Sequence, residues 1–173
     1  MPNPNEALPR SEDELELNPQ WSGFARVPAW YRVEVALGGE DGAHNADSVQ
    51  LRPEPFVLKR ITWATTGDAL ADLNSGIALG GSLQGRTVQV QWEDEFTKFF
   101  GNRPMLVSSV FGDSNGFLDL PRGMIFSGKQ TLSVNLSRLF WPGANETRAT
   151  TLWHFIFSGF GLLRGEYQSG SAG

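Results

Sequence analysis

Apolar and polar residues alternate with a period of two along much of this chain, the spacing of a strand with one face covered and one face wet. The clearest run is Arg86–Trp92, where Val88, Val90 and Trp92 point one way and Thr87, Gln89 and Gln91 the other. Trp30–Leu37 repeats the pattern, with Tyr31, Val33, Val35 and Leu37 set against Arg32, Glu34 and Ala36. Phe56–Ala64, stiffened at its start by Pro53 and Pro55, is apolar in both phases and predicts a strand within a sandwich. Leu106–Phe111, Gly123–Phe126 and Thr131–Leu136 continue the series.

The strongest run is Leu152–Phe160. Trp153, Phe155 and Phe157 take one face, while Leu152, Ile156 and Phe160 take the other. A strand apolar on both sides needs two covers, its own core and a further layer or subunit. Trp153, Phe155 and Phe157 are therefore expected in core or inter-subunit packing.

Turn chemistry separates these runs. Gly38–Gly42 ends the first strand, and residues 40–50 look like an exposed loop. Gly112–Gly116 and Ser127–Gln130 read as turns, the second within a hairpin, and Trp141–Asn145 as a surface loop. Leu70 and Leu73 allow a short helical turn within residues 66–76. About eight strands with Gly and Pro turns and no long helix predict an all-β fold, an antiparallel β-sandwich of jelly-roll type.

Residues 1–28 break the pattern. Pro2, Pro4, Pro9, Pro19 and Pro28 resist regular structure, and Asn, Glu and Asp dominate the rest. A floppy tail is one reading of this run; the other, since Trp21 and Phe24 have little reason to sit in pure linker, is an N-terminal arm that orders against a neighbouring subunit with these two as anchors. The domain organisation is then an arm (1–28), a sandwich (29–165) and a small polar, flexible tail (166–173).

Composition narrows the function. A content of 40% hydrophobic residues, with 12 Phe and 6 Trp, supports a substantial core. The net charge of -5 argues against nonspecific binding of nucleic acid or an anionic membrane. With no cysteine, thiol nucleophiles, thiolate metal sites and disulfides are all excluded. Met1–Arg10 carries prolines and charge where a secretory signal needs an apolar run, so no leader is expected. No apolar stretch is long enough to span a bilayer as a helix.

Catalytic vocabulary is sparse. His154 lies inside the aromatic run and is expected to be a hydrogen-bonded core or interface residue, and His44 to be solvent-exposed in its loop. Glu93, Asp94 and Glu95 follow a strand, as solvated loop acids do. Asp113, Asn115 and Asp119 offer oxygens at loose spacing, without the full calcium-loop pattern, and Asp68, Asp72 and Asn74 are discounted likewise. Gly80–Arg86 lacks the lysine of a phosphate loop. Catalytic, cofactor-binding and metal-binding residues are therefore all expected to be absent. Trp63, Trp92 and Trp141 are candidate sugar platforms, with Trp92 better placed in the core and Trp141 the one expected at an exposed tip.

The stretch from Arg52 to Phe111, with Leu118–Arg122, Leu132–Leu136 and the closing Phe155–Gly161, resembles the small β-sandwich structural proteins of tailed-phage virions. These include head decoration or cement proteins and neck or tail components. The resemblance spans residues 50–163 and rests on strand order. It implies a non-enzymatic virion protein that forms dimers or trimers, docks on a capsid or tail protein array, and needs no cofactor, membrane or direct nucleic-acid contact. Trp21, Phe24, Trp141, Trp153, Phe155 and Phe157 are the expected interface residues. The alternative from the same residues is a carbohydrate-binding β-sandwich; a carboxylate hydrolase or lyase built on Glu93 or Asp94 ranks below both.

Overall fold

Period-two alternation becomes strand wherever the apolar phase finds a second sheet to cover it. The computed structural model describes residues 12–17, 21, 23–66, 85–94, 98–99, 103–112, 116–141, 148 and 150–164. Within them lie β1 (Phe24–Leu37), β2 (His44–Gln50), β3 (Phe56–Thr66), β4 (Val88–Glu93), β5 (Lys98–Phe99), β6 (Met105–Leu106), β7 (Phe117–Phe126), β8 (Thr131–Arg138) and β9 (Thr151–Arg164). Two short helices, α1 (Glu12–Leu17) and α2 (Val107–Phe111), accompany them.

The strands form two antiparallel sheets, ordered β1-β9-β3-β7 and β2-β8-β4-β5, with β6 also on β4. Because β8 occupies one edge of β4, β5 and β6 share the other. Trp92 and Glu93 pair with β5, and Gln89 and Val90 with β6. The two are pieces of one interrupted edge strand, which leaves each sheet with four strand positions. First then pairs with last, second with second-last, and so inward: β1 with β9, β2 with β8, β3 with β7, β4 with β5 and β6. That nesting is a jelly roll, a long hairpin of chain wound so that its paired strands alternate between sheets. The expected eight-stranded, jelly-roll-like sandwich is the fold observed.

The inner faces make one core. In β8 every second residue, Leu132, Val134 and Leu136, is fully buried, against Val33, Val35 and Leu37 on β1. Aromatic rings fill the middle: Trp92 meets Phe155 edge-on at 6.4 Å, and Trp63 stacks on Trp153 at 5.4 Å. Trp92 and Trp63 are thus core rings rather than sugar platforms.

Several elements differ from the sequence reading. Residues 44–50 are β2 and not loop; they pair with β8 along their whole length, and all but Val49 are exposed, so no apolar phase announces the strand. Leu106–Phe111 is mostly α2: Val107 and Phe111, four apart, both reach the core from a helical turn. β1 starts at Phe24, inside the segment assigned to the arm, because Phe24–Trp30 pairs with Ser158–Arg164. The Leu70–Leu73 helical turn, Asp68, Asp72, Asn74, Glu95, Asp113, Asn115, most of the Gly80–Arg86 loop and the 166–173 tail lie outside the described residues.

At Gly159 close contact demands glycine. The register of β3 slips between Leu58 and Arg60, a bulge that presses β3 against β9. A Cβ on Gly159 would sit 1.9 Å from the Val57 carbonyl oxygen. Only glycine fits there.

Candidate interaction surface

The outer face of the β1-β9-β3-β7 sheet divides into a covered half and an open half. Register places residues in rows across all four strands. Pro28, Phe160, Val57 and Ile125 form one row. Next to it come Trp30, Ser158, Arg60 and Asp119, and then Arg32, Ile156, Thr62 and Phe117.

The N-terminal segment covers the first row. Leu15 of α1 is 3% exposed and packs with Val57 and Leu162, joined by Trp21, Phe24, Ile125 and Phe160. Trp21 and Phe24 stack at 4.7 Å, and the Phe24 amide donates to the Trp21 carbonyl. Charge fixes the placement, because α1 is acidic and the sheet beneath it basic. Glu12 bridges Arg26 and Lys59, Glu16 meets Arg26 at 3.2 Å, and Asp13 lies 3.8 Å from Arg122. A helix this short has little stability alone, so packing and these pairs hold it. Trp21 and Phe24 pack against their own chain's sheet in this cluster.

Beyond α1 the face is open among the described residues. Trp30 is 70% exposed on β1, with Ile156 half-exposed beside it. A charged cluster adjoins them. Arg32 pairs with Glu34 on the same strand, and His154 Nδ1 lies 2.9 Å from Arg32 Nη2 and 3.2 Å from Glu34 Oε2. That nitrogen accepts from Arg32 when the ring carries its proton only on Nε2, and donates to Glu34 when Nδ1 carries one. His154 is therefore a hydrogen-bonded residue on the outer face, mostly covered by its neighbours.

Across the sheet, Arg60 donates to both carboxylate oxygens of Asp119 and lies over the Phe117 ring at 4.5 Å. The hydrogen bond from Arg60 holds the Asp119 carboxyl below the usual range, against the opposing effect of desolvation and with the Arg60 charge as a lesser aid. The Arg60 guanidinium is held above its own ordinary value by the same pair. An open depression of about 640 Å³ lies here, lined by Lys59, Arg60, Asp119, Pro121, Ser158 and Phe160.

The other expected interface residues are internal. Trp153, Phe155 and Phe157 are 0% exposed, fully enclosed by one chain's two sheets, so the core half of their expected role is the one they fill. Trp141 is not at an exposed tip: it is 7% exposed, under Arg138, with its amide held by Asp41. Its neighbours Leu139 and Phe140 are the exposed apolar residues of that loop. The second cover that β9 required is supplied over its Phe160–Leu162 end by α1 and Trp21.

Other candidates resolve simply. His44 is exposed, as its polar surroundings imply. Glu93 accepts from Asn135 Nδ2 at 3.0 Å, and Asp119 is engaged by Arg60. Among the described residues no three His, Asp or Glu side chains cluster as a metal site, and no helix is long and apolar enough to cross a membrane. Trp30 is not among the residues that the sequence patterning singles out, although its signal is there, an aromatic in the polar phase of β1, opposite to Tyr31 and Val33. The chain matches no protein-family model and no curated protein sequence.

Proposed function

We propose that this chain is a non-enzymatic structural subunit of a virion, which associates with copies of itself and docks on a capsid or tail protein array. The supporting observation is Trp30, an indole 70% exposed on the open half of a sheet face whose other half is closed by α1. Tryptophan dominates binding energy where it becomes buried at the centre of an interface. Arg32, Glu34 and Asp119 around it form a polar rim. An interface of standard size hides about 1,600 Å² in total, and repetition over an array multiplies modest single contacts.

The test is co-expression with candidate capsid and tail proteins, followed by sedimentation of the assembled particles. The chain should travel with the particles, and Trp30→Ala should leave it folded in the supernatant. A wild-type chain that never sediments with them removes the docking reading.

A second reading, carbohydrate binding, draws on the depression beside Trp30, where Arg60 and Asp119 offer polar groups and Phe160 an apolar ring. It predicts glycan-dependent quenching of tryptophan fluorescence that Trp30→Ala abolishes. Quenching that survives this change excludes the platform.

A further inference from the structure

The free edge of β1 is open in a defined phase. β9 lies between β1 and β3, so its residues alternate in the neighbour they bond. Leu162 donates its amide to Pro55, on the β3 side, so the even residues of β9 face β3 and the odd ones face β1. Through the β1–β9 register, the odd residues of β1 bond β9 and its even residues face outward. Two further observations agree. Pro28, which has no amide hydrogen, falls in the outward phase, where none is missed. The Ala36 carbonyl, also outward, accepts from Asn45 Nδ2 at 2.7 Å. Trp30, Arg32 and Glu34 therefore present amide and carbonyl groups sideways, and among the described residues no strand pairs with them.

We propose that this edge pairs with the same edge of a second copy, antiparallel and about a two-fold axis at Val33. The proposal rests on the self-association put forward above and adds where it occurs. Charge selects the register. With the axis at Val33, Arg32 faces the partner's Glu34 and Glu34 faces the partner's Arg32, each pair exchanging backbone hydrogen bonds. Moving the axis to Arg32 sets like charges opposite each other, and moving it to Tyr31 leaves Glu34 facing a proline. Pro28 and the charges make the edge a poor template for arbitrary strands, yet in this one register they are self-complementary. The result is one sheet in the order β7-β3-β9-β1-β1-β9-β3-β7, with both outer faces on the same side. Both copies of Trp30 then belong to a single docking surface.

Arg32→Glu and Glu34→Arg test this together, by light scattering over a concentration series on the full chain, with near-ultraviolet circular dichroism as the check of fold. Wild type should have the mass of a dimer. Each variant alone sets like charges across the axis and should fall to half that mass with an unchanged spectrum. An equimolar mixture of the two places opposite charges at both contacts and should recover the dimer mass. Wild type that associates while the single variants do so equally well would overturn the edge assignment and leave self-association standing. A mixture that stays monomeric likewise overturns it. A wild type that is monomeric throughout removes both the edge pairing and the self-association it rests on.

Discussion

The guanidinium of Arg138 lies over the indole of Trp141, 4.9 Å from the ring centroid, although Arg138 is only 1% exposed. A buried cation needs its donors satisfied, and this one has them. Nε donates to the Gly38 carbonyl and Nη2 to Thr151 Oγ1, both at 2.8 Å; Thr151 Oγ1 also accepts from Trp153 Nε1. One side chain thus ties the end of β8 to the end of β1, the start of β9 and the Trp141 loop. Arg138→Met keeps much of the volume but leaves buried acceptors without donors, which should lower unfolding stability by about 2–3 kcal/mol. Urea denaturation should show the midpoint falling at constant slope. Arg138→Lys should recover only part of the loss, because an ammonium cannot reproduce the planar fork.

Gly159→Ala should be among the most damaging single-methyl additions. The new Cβ meets backbone, the Val57 carbonyl, and no flexible side chain can yield. Overpacking of this kind costs about 1–3 kcal/mol or more. Thermal unfolding should move clearly downward, while Gly23→Ala, with no atom within 4 Å of its added methyl, should leave the midpoint almost unchanged.

Leu15→Ala should separate the covering segment from the sandwich. It removes the apolar contact between α1 and Val57 and Leu162, leaving a short acidic helix held by partly exposed ion pairs. Limited proteolysis should then cut faster within residues 12–23, with the thermal midpoint of the sandwich little changed. Raised salt should have the same effect on wild type to a smaller degree.

Asp119 gives a pH dependence of known sign. Its carboxyl is depressed in the folded chain by the hydrogen bond and charge of Arg60, so the pair contributes fully above the ordinary carboxylate range. The contribution disappears as pH falls through the depressed folded value. Asp119→Asn should therefore lower stability slightly at neutral pH and leave it unchanged at low pH, so that the acid side of the stability profile becomes shallower. Both side chains are about half exposed, so the effect should be small and shrink with salt.

Trp30→Ala should change stability by no more than about 0.5 kcal/mol, as an exposed substitution does. Chemical denaturation of the variant should overlay the wild-type curve, which separates any binding defect from unfolding.

Alternation made most of the sandwich legible, because the second half of β1 buries one phase and exposes the other, while β8 and β4 bury their apolar phase and leave most of the polar phase half-buried. Where pairing rather than burial makes the strand, the signal failed. β2 is a polar edge that β8 recruits through backbone hydrogen bonds, and nothing in His44–Gln50 marks it. Pro28 suggested a break, yet at a sheet edge it costs no ladder hydrogen bond. Trp141 was misplaced because the residue that buries it, Arg138, is of a type that rarely goes inside. The aromatic face of Trp153, Phe155 and Phe157 was correctly identified as buried, but sequence could not tell whether the cover came from the same chain or another.

The nesting of first strand with last also governs how the chain comes together. Phe24 is made well before its partner Arg164, so β1 cannot find a neighbour in its own sheet until β9 has been synthesised. The pairing closest along the chain is that of β4 with its edge strand, and the most distant is that of β1 with β9. Such distant pairings slow folding into the range of milliseconds to seconds. Until β9 is in place both edges of β1 lack a partner strand, so a second unfolded chain would compete with β9 for the same ribbon.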